Sequence, residues 1–259
     1  MPQPGIESLS DNLLSLMNKG VSAIQNIFFL KCAGQYGAYP HWHILLGMYG
    51  ERQSDYDGMA SLMRNLVHLT PPGRAAHSFV KCHRYSAYHR ESERYFEEIA
   101  PAGFYRYIFP DSFNYGRLAY LFDVKWRTPH EEPVSYDGVI DAVDWWRRLW
   151  RAPKTPALYI EGSPDREMSL VDSRFERVVR VKMDQNEARV YDMMDDIVSV
   201  DELLDSASSF CERGAASRIL DSFVGHGLAV RLDERCLGLA LRSGYKEWSP
   251  DERIALMRN

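Results

Sequence analysis

Cysteine is scarce and scattered. The four residues Cys32, Cys82, Cys211 and Cys236 form no CxxC, no CxxxCxxC and no Cys/His cluster at zinc spacing. By itself the chain therefore has the ligand pattern of neither an iron–sulfur cluster nor a structural zinc, and the cysteines read as reduced, mostly buried thiols. Long apolar runs are also missing: no stretch approaches the roughly 20 residues of a membrane span. The opening Met1-Pro2-Gln3-Pro4-Gly5 lacks the basic and apolar regions of a signal peptide. A cytoplasmic protein with no membrane attachment is expected. Basic excess is absent too, since 31 Lys+Arg face 36 Asp+Glu for a net charge of −5, which argues against nucleic acid as a partner on charge alone. There are no internal repeats and no low-complexity tracts.

What is present is globular stock. With 45% hydrophobic and 26% charged residues over 259 positions, the chain can bury one large core or two medium ones. The first part alternates helical and strand-like periods in the manner of βα units. A short segment Gln3 to Ser8 precedes helices predicted over Asp11 to Lys19, closed by Gly20, and over Ser22 to Tyr36, ending before Gly37. A compact strand His41 to Gly47 leads to a helix capped by Ser54 and running to about His68, where Thr70-Pro71-Pro72-Gly73 stops it. Ala76 to Tyr85 reads as one strand, Tyr88 to Phe109 as an aromatic-rich loop, and Tyr115 to Phe122 and Asp137 to Arg151 as helices. Pro129, Pro133, Pro153 and Pro156 punctuate this region, and the domain boundary is placed near Pro153. Residues 153–259 change rhythm. Strands over Ala157 to Glu161, Met168 to Asp172 and Arg177 to Lys182 precede helices over Gln185 to Asp195, Val200 to Cys211 and Gly214 to Gly225. Strands over Leu228 to Leu232 and Cys236 to Leu241 close the chain, a plan that fits a small α+β winged-helix-like domain.

Several clusters bear on chemistry. Gly47-Met48-Tyr49-Gly50-Glu51 ends an apolar strand, where βα folds place ligands, although an ordinary βα turn explains the spacing equally well. Glu7 and Ser8 end the first segment in the same way; they suit an amine or ribose contact, while capping the next helix is the favoured reading. His41 and His43 share a strand face, a spacing compatible with metal, but no third ligand is nearby and a polar pocket lining or satisfied core histidines are preferred. Arg84 requires a salt bridge or a ligand anion if buried, the former being favoured. Trp145, Trp146 and Trp150 at helical spacing read as core or interface packing.

Taken in order, Gln3 to Ser10, Met17 to Gly20, Trp42 to Glu51, His68 to Pro72, Arg84-Tyr85-Ser86 and Arg117 to Asp123 resemble the later half of cobalamin-dependent radical SAM C-methyltransferases of the RiPP-maturation type. The resemblance runs through most of residues 1–152 and is less specific in the tail. It implies a partial (β/α) radical SAM-type barrel, later strands only, completed by a partner chain carrying the cobalamin, the [4Fe-4S] cluster and the first barrel strands. The expected assembly is a heterodimer that methylates an unactivated carbon of a peptide or small molecule in natural-product biosynthesis; this chain alone is expected to be inactive. Carried over residue by residue, Glu7, Ser8, Gly47 and Glu51 match S-adenosyl-L-methionine contacts, and no catalytic residue or metal ligand falls in this chain. His43 stands where relatives have Asn. Arg84-Tyr85-Ser86 matches an Arg-Phe-Ser that relatives follow with Pro-Tyr; here Ala87 replaces the proline and Tyr88 is retained, while Met48-Tyr49 replaces Phe-Pro. His43, Tyr49, Arg84, Tyr85 and Tyr88 are expected to shape the substrate pocket.

A physical expectation points the same way, because a parallel strand with an unpaired edge calls for a covering polypeptide. The tail is expected to hold a leader peptide by strand addition or to brace the partner. Two alternatives remain: a non-catalytic stabilising or substrate-recognition subunit, and a DNA-binding regulator using the helix Gly214 to Gly225. Arg218 favours the second, while Asp221 and the net charge oppose it.

Overall fold

The computed structural model describes residues 2–127 and 133–258; Pro129 lies outside them. In chain order the elements of the first part are α1 (Asp11–Leu16), α2 (Ala23–Tyr36), β1 (Ile44–Leu46), α3 (Gln53–Asn65), β2 (His77–Phe79), β3 (Cys82–His83), α4 (Ala87–Arg90), α5 (Ser92–Tyr95), β4 (Phe96–Pro101), α6 (Tyr105–Ile108), α7 (Tyr115–Leu118), β5 (Leu121–Trp126) and α8 (Asp137–Arg151). The remainder holds β6 (Leu158–Gly162), β7 (Met168–Asp172), β8 (Val179–Lys182), α9 (Gln185–Met193), β9 (Val198–Ser199), α10 (Val200–Ala207), α11 (Arg213–Gly225), β10 (Ala229–Leu232), β11 (Arg235–Gly238), β12 (Leu241–Arg242) and α12 (Pro250–Arg258). This is a mixed α/β fold of several small sheets, and no barrel closes among the described residues. No described helix is long and apolar enough to cross a membrane.

The parallel part is small. β1 pairs with β2, Ile44 opposite His77 and Leu46 opposite Phe79, and Glu7 adds a single parallel bridge to Ile44. The segment Gln3 to Ser8 is thus one bridge rather than a strand. Helices α1 and α2 connect Glu7 to β1, and α3 connects β1 to β2, the crossover that parallel neighbours require. Along the β1 segment burial alternates: Trp42, Ile44 and Leu46 are at most 2% exposed, whereas His43 and Leu45 on the other face are only half-buried. One face therefore sits on the core and the other is open.

Four single-element expectations change. The strand expected over Ala76 to Tyr85 is two, because after Val80 donates to the Leu46 carbonyl the chain leaves β1, and β3 pairs antiparallel with β5 instead. The helix expected over Tyr115 to Phe122 is one turn; Asn114 caps it through the Arg117 amide, Ala119 turns extended, and β5 is captured between β3 and β4. The aromatic stretch taken as a loop supplies β4, so tertiary pairing overrides the local pattern. The strand expected over Cys236 to Leu241 also divides: β11 pairs with β10 and β9, while β12 pairs parallel with β6. At the break, the Ala240 amide donates to the Tyr191 hydroxyl and the Leu239 carbonyl accepts from His68.

Helix starts are corrected as well. Ser10, not Glu7 or Ser8, caps α1. At α3 the Arg52 amide donates to Asp55, one residue ahead of the Gln53 start, so Ser54 is inside the helix.

One apolar cluster runs from Ile6 to Met257 through both parts of the chain, on either side of Pro153. Its centre is the stretch Leu66 to Thr70, a connection buried in spite of its polar backbone. Three indole N–H groups make that possible: Trp150 donates to the Val67 carbonyl, Trp146 to Leu69 and Trp42 to Thr70, at 2.9–3.1 Å. Trp146 and Trp150 project from α8 with Val139, Ala142 and Val143 at helical spacing, as expected of core residues. Polar links complete the joint, with Lys31 of α2 bonded to Asp195 and Arg242 of β12 bonded to Asp192 and Asp195.

Candidate functional site

The open face of β1 and β2 forms one wall of a cleft of about 1300 Å³. It lies at the carboxyl ends of the parallel segments, where Glu7, Met48 to Gly50 and Val80-Lys81 leave the sheet, the place at which βα architectures bind ligands. His43 and Leu45 rise from its floor. A Tyr-rich wall comes from α4 and α5, backed by Trp126 of β5. There Tyr88 packs edge-on against Tyr95 and Trp126, Tyr49 packs against Tyr95, and the Tyr88 hydroxyl accepts from the Tyr49 amide at 3.3 Å. Burial raises the Tyr88 hydroxyl above its ordinary pKa, so it remains a neutral hydrogen-bonding group.

Arg84 spans the far side. Its guanidinium donates to the carbonyls of Gly116 and Ala119 and lies 5.1 Å from the centre of the Phe122 ring. The expected salt bridge is not made: among the described residues no carboxylate pairs with it, and three backbone and ring partners hold it instead. Tyr85, 75% exposed with φ of +71°, stands at the rim. Lys19, Lys81, Arg84 and Arg94 line the cleft; Lys19 pairs with Glu7 at 2.9 Å and Arg94 with Glu91 at 3.1 Å, which leaves Lys81 and Arg84 without a carboxylate partner among the described residues. The local field thus favours an anionic group although the whole chain is acidic.

All five residues expected to touch substrate, His43, Tyr49, Arg84, Tyr85 and Tyr88, line this one cleft. The four expected at S-adenosyl-L-methionine do not assemble in the same way; Glu7 alone lines it. Ser8 is completely buried, its hydroxyl accepting from the Ser10 amide at 3.0 Å and directed at the Met59 sulfur. Glu51 is 5% exposed and saturated by donors: the Met48 amide at 2.6 Å, the Tyr56 hydroxyl at 2.5 Å and the Tyr136 hydroxyl. Burial first, and then the Glu51 hydrogen bond, push both tyrosines well above their ordinary pKa, so each stays a donor. Gly47 has φ of +82°, and a Cβ there would lie 3.3 Å from the Phe79 ring, which accounts for glycine at this turn without a ligand. These four positions therefore do not fit a complete S-adenosyl-L-methionine contact set.

Glu51 instead ties the end of β1 to α3 and to the start of α8. Tyr136→Phe removes one of its three donors, and an expected loss of about 1–2 kcal/mol by chemical denaturation checks this role.

Sequence reasoning passed over Arg94 and Tyr120 as cleft residues and Tyr136 as the partner of Glu51. No local pattern signals a contact spanning 85 positions. Among the described residues, no group of three His, Cys, Asp or Glu is placed to hold a metal; His41 packs against Gly73 instead.

Fold and cleft together define a mixed α/β protein with a cation-lined, tyrosine-walled groove at the ends of its parallel segments. No family model matches the chain, and neither a curated protein nor a solved structure matches it.

Proposed function

We propose that the chain is the substrate-side subunit of a heteromeric, cobalamin-dependent radical SAM C-methyltransferase, contributing later strands of the barrel through residues 1–152 and a winged-helix-like domain through residues 153–259. The observation that carries this reading is the bare face of β1 and β2. Parallel sheets are covered on both faces, yet here His43 and Leu45 face an open cleft flanked by exposed Phe79, Tyr85 and Tyr120. A second chain bearing the cluster and cobalamin would cover it and enclose the substrate, excluding water from the reacting groups. The order α9, β9, α10, α11 and the β10–β11 hairpin supports the winged-helix reading of the tail.

Within such an assembly, this chain's residues orient the acceptor. The surplus of Lys and Arg suits a substrate carboxylate, and Tyr49, Tyr88 and Tyr95 offer ring surfaces to an apolar or aromatic body. The burial of Ser8 and Glu51 favours a subunit that recognises substrate over one that holds the cofactor, with Glu7 the one remaining candidate for a cofactor contact.

Co-expression of the tagged chain with a cluster- and cobalamin-bearing chain tests the proposal. Co-elution of cobalamin absorbance with the tag is expected, with methyl transfer from labelled S-adenosyl-L-methionine requiring both chains. Tyr120→Arg, 56% exposed at the edge of the open face, is expected to abolish co-elution while leaving the melting of the free chain almost unchanged. A partner fully active alone and never co-eluting would sink the reading. Glu7→Gln then divides its two forms: lost turnover in an intact complex marks a cofactor contact, and retained turnover marks recognition alone.

A further inference from the structure

The four-stranded sheet, ordered β12-β6-β7-β8, finishes its two edges differently. At β12 the Gln35 side chain stands in for a further strand, its Oε1 accepting from the Arg242 amide at 2.7 Å and its Nε2 donating to the Arg242 carbonyl at 3.4 Å. The edge of β4, in its own sheet, is interrupted by a bulge between Phe96 and Glu98 and ends at Pro101. Strand β8 has neither device. All four of its residues, Val179 to Lys182, are exposed, and their pairing with β7 is regular. An uncovered, regular edge is a template for another strand.

The register fixes which groups this edge offers. The Met183 amide donates to the Met168 carbonyl at 3.0 Å. By the alternation of an antiparallel ladder, Val181 and Val179 also turn their backbone groups to β7, while Arg180 and Lys182 turn theirs outward. Side chains alternate as well. Val181 continues the row of Ile160 and Leu170 on the face that packs on the core, yet it lies past the core's cover: Val179, Val181 and the neighbouring Phe175 and Val178 are 43–58% exposed. Arg180 and Lys182 stand on the opposite face, where Arg180 reaches Glu161 of β6 across β7 and Lys182 reaches Glu167 at 3.1 Å. Both pairs are solvent-exposed and worth little, so the two cations are available to other carboxylates. Glu176 and Arg177 offset each other just before the strand, and Asp184 beyond it is committed to capping α9.

We infer that β8 takes up an extended segment of a separate polypeptide, with apolar residues opposite Val179 and Val181 and acidic residues opposite Arg180 and Lys182. The outward backbone groups of Arg180 and Lys182 hold such a segment, and the alternating side chains select it. Opposite charges directly across adjacent strands add to the pairing. A second copy of this chain is the wrong occupant: antiparallel pairing of two β8 strands sets residues of one face against each other, so Arg180 and Lys182 would face cations. None of these residues lines the tyrosine-walled cleft, and the docking does not depend on the assembly proposed for that cleft.

The test uses the whole chain and three fluorescein-labelled heptapeptides in which glutamate alternates with valine, isoleucine or phenylalanine, each with a counterpart carrying lysine for glutamate. Fluorescence anisotropy reads affinity, and amide hydrogen exchange reads position. At least one acidic peptide is expected to bind saturably with a Kd below about 1 mM, at least tenfold tighter than its lysine counterpart, and to slow exchange at the Arg180 and Lys182 amides. Arg180→Pro removes an outward N–H that β7 does not use; it is expected to weaken binding at least tenfold while the Val179 and Val181 amides stay protected. Arg180→Glu combined with Lys182→Glu, both exposed positions, is expected to reverse the preference in favour of the lysine peptide. No binding by any acidic peptide, protection confined to the tyrosine-walled cleft, an unreversed preference in the charge-swapped chain, or dimers of the chain that form through β8 would each overturn the proposal.

Discussion

Arg174→Met is expected to destabilise the chain by about 3–5 kcal/mol, the range for breaking a buried ion pair, and to lower the melting midpoint by on the order of 10 °C. The Arg174 side chain is 1% exposed and makes a bidentate pair with Asp172, at 2.6 and 3.0 Å. A third nitrogen, Nη1, donates to the carbonyls of Asn65 at 2.8 Å and Gly227 at 2.7 Å. One guanidinium thus joins the end of β7 to the exit of α3 and to the turn between α11 and β10. Removing it leaves two interior carbonyls without this donor and Asp172 with only the backbone amide of residue 174. Asp172→Asn is expected to cost less, because the amide oxygen still accepts from the guanidinium. Replacing both by apolar residues should cost less than the sum of the single losses, and a double-mutant cycle in urea measures the difference. Additive losses would show that the two side chains act independently.

Acid should unfold the chain through His68. The ring is buried with its pKa near 3, against 6.5 for an ordinary imidazole, so between those values the unfolded state takes up a proton that the folded state refuses. Stability therefore rises with pH across that window, and moving from pH 7 to pH 5 should remove about 2 kcal/mol through this one residue. The window reaches down to pH 3. Asp172 adds to the loss at lower pH. Burial by itself would raise its carboxyl, but the hydrogen bonds and charge of Arg174 outweigh that and hold it below the usual range. Its contribution is present above the unfolded carboxylate value and disappears as pH falls through the folded one. Urea midpoints measured at pH 7, 6 and 5 should fall steeply in the wild type and flatten in His68→Gln, whatever the absolute stability of that variant. Equal slopes in the two proteins would assign the acid sensitivity to other groups.

Elements whose burial is set locally were readable in the sequence. Helix α8 follows from the spacing of Val139, Ala142, Val143, Trp146 and Trp150, and α2 from its apolar positions and the left-handed Gly37 at its end. The strands β6, β7 and β8 and the helices α9, α10 and α11 fall close to their expected ranges. The tyrosine-walled cleft was half-legible in the same way, because His43 and Tyr49 belong to the β1 segment and its end, and Arg84, Tyr85 and Tyr88 to a single short stretch. Where a segment's fate depended on a distant partner, the pattern misled. Tyr115 to Phe122 has helical spacing, yet β3 and β4 draw its second half into a sheet.

The roles of the two buried acids in the parallel part show the same division. Glu51 at the end of a strand reads as a ligand contact until Tyr56 and Tyr136 occupy both of its oxygens, and Asp55 takes donors from Ser10 and Asn12, more than 40 positions away. The sequence by itself determined the charge balance, the lack of clustered metal-ligating cysteines and the periodicity of the long helices, since each depends on residues close together or on simple counts. Only the tertiary structure decided which polar groups are left unpaired, which sheet face stays bare and which carboxylates are already satisfied. Those outcomes depend on burial and on partners brought together across the chain, and no local pattern encodes them.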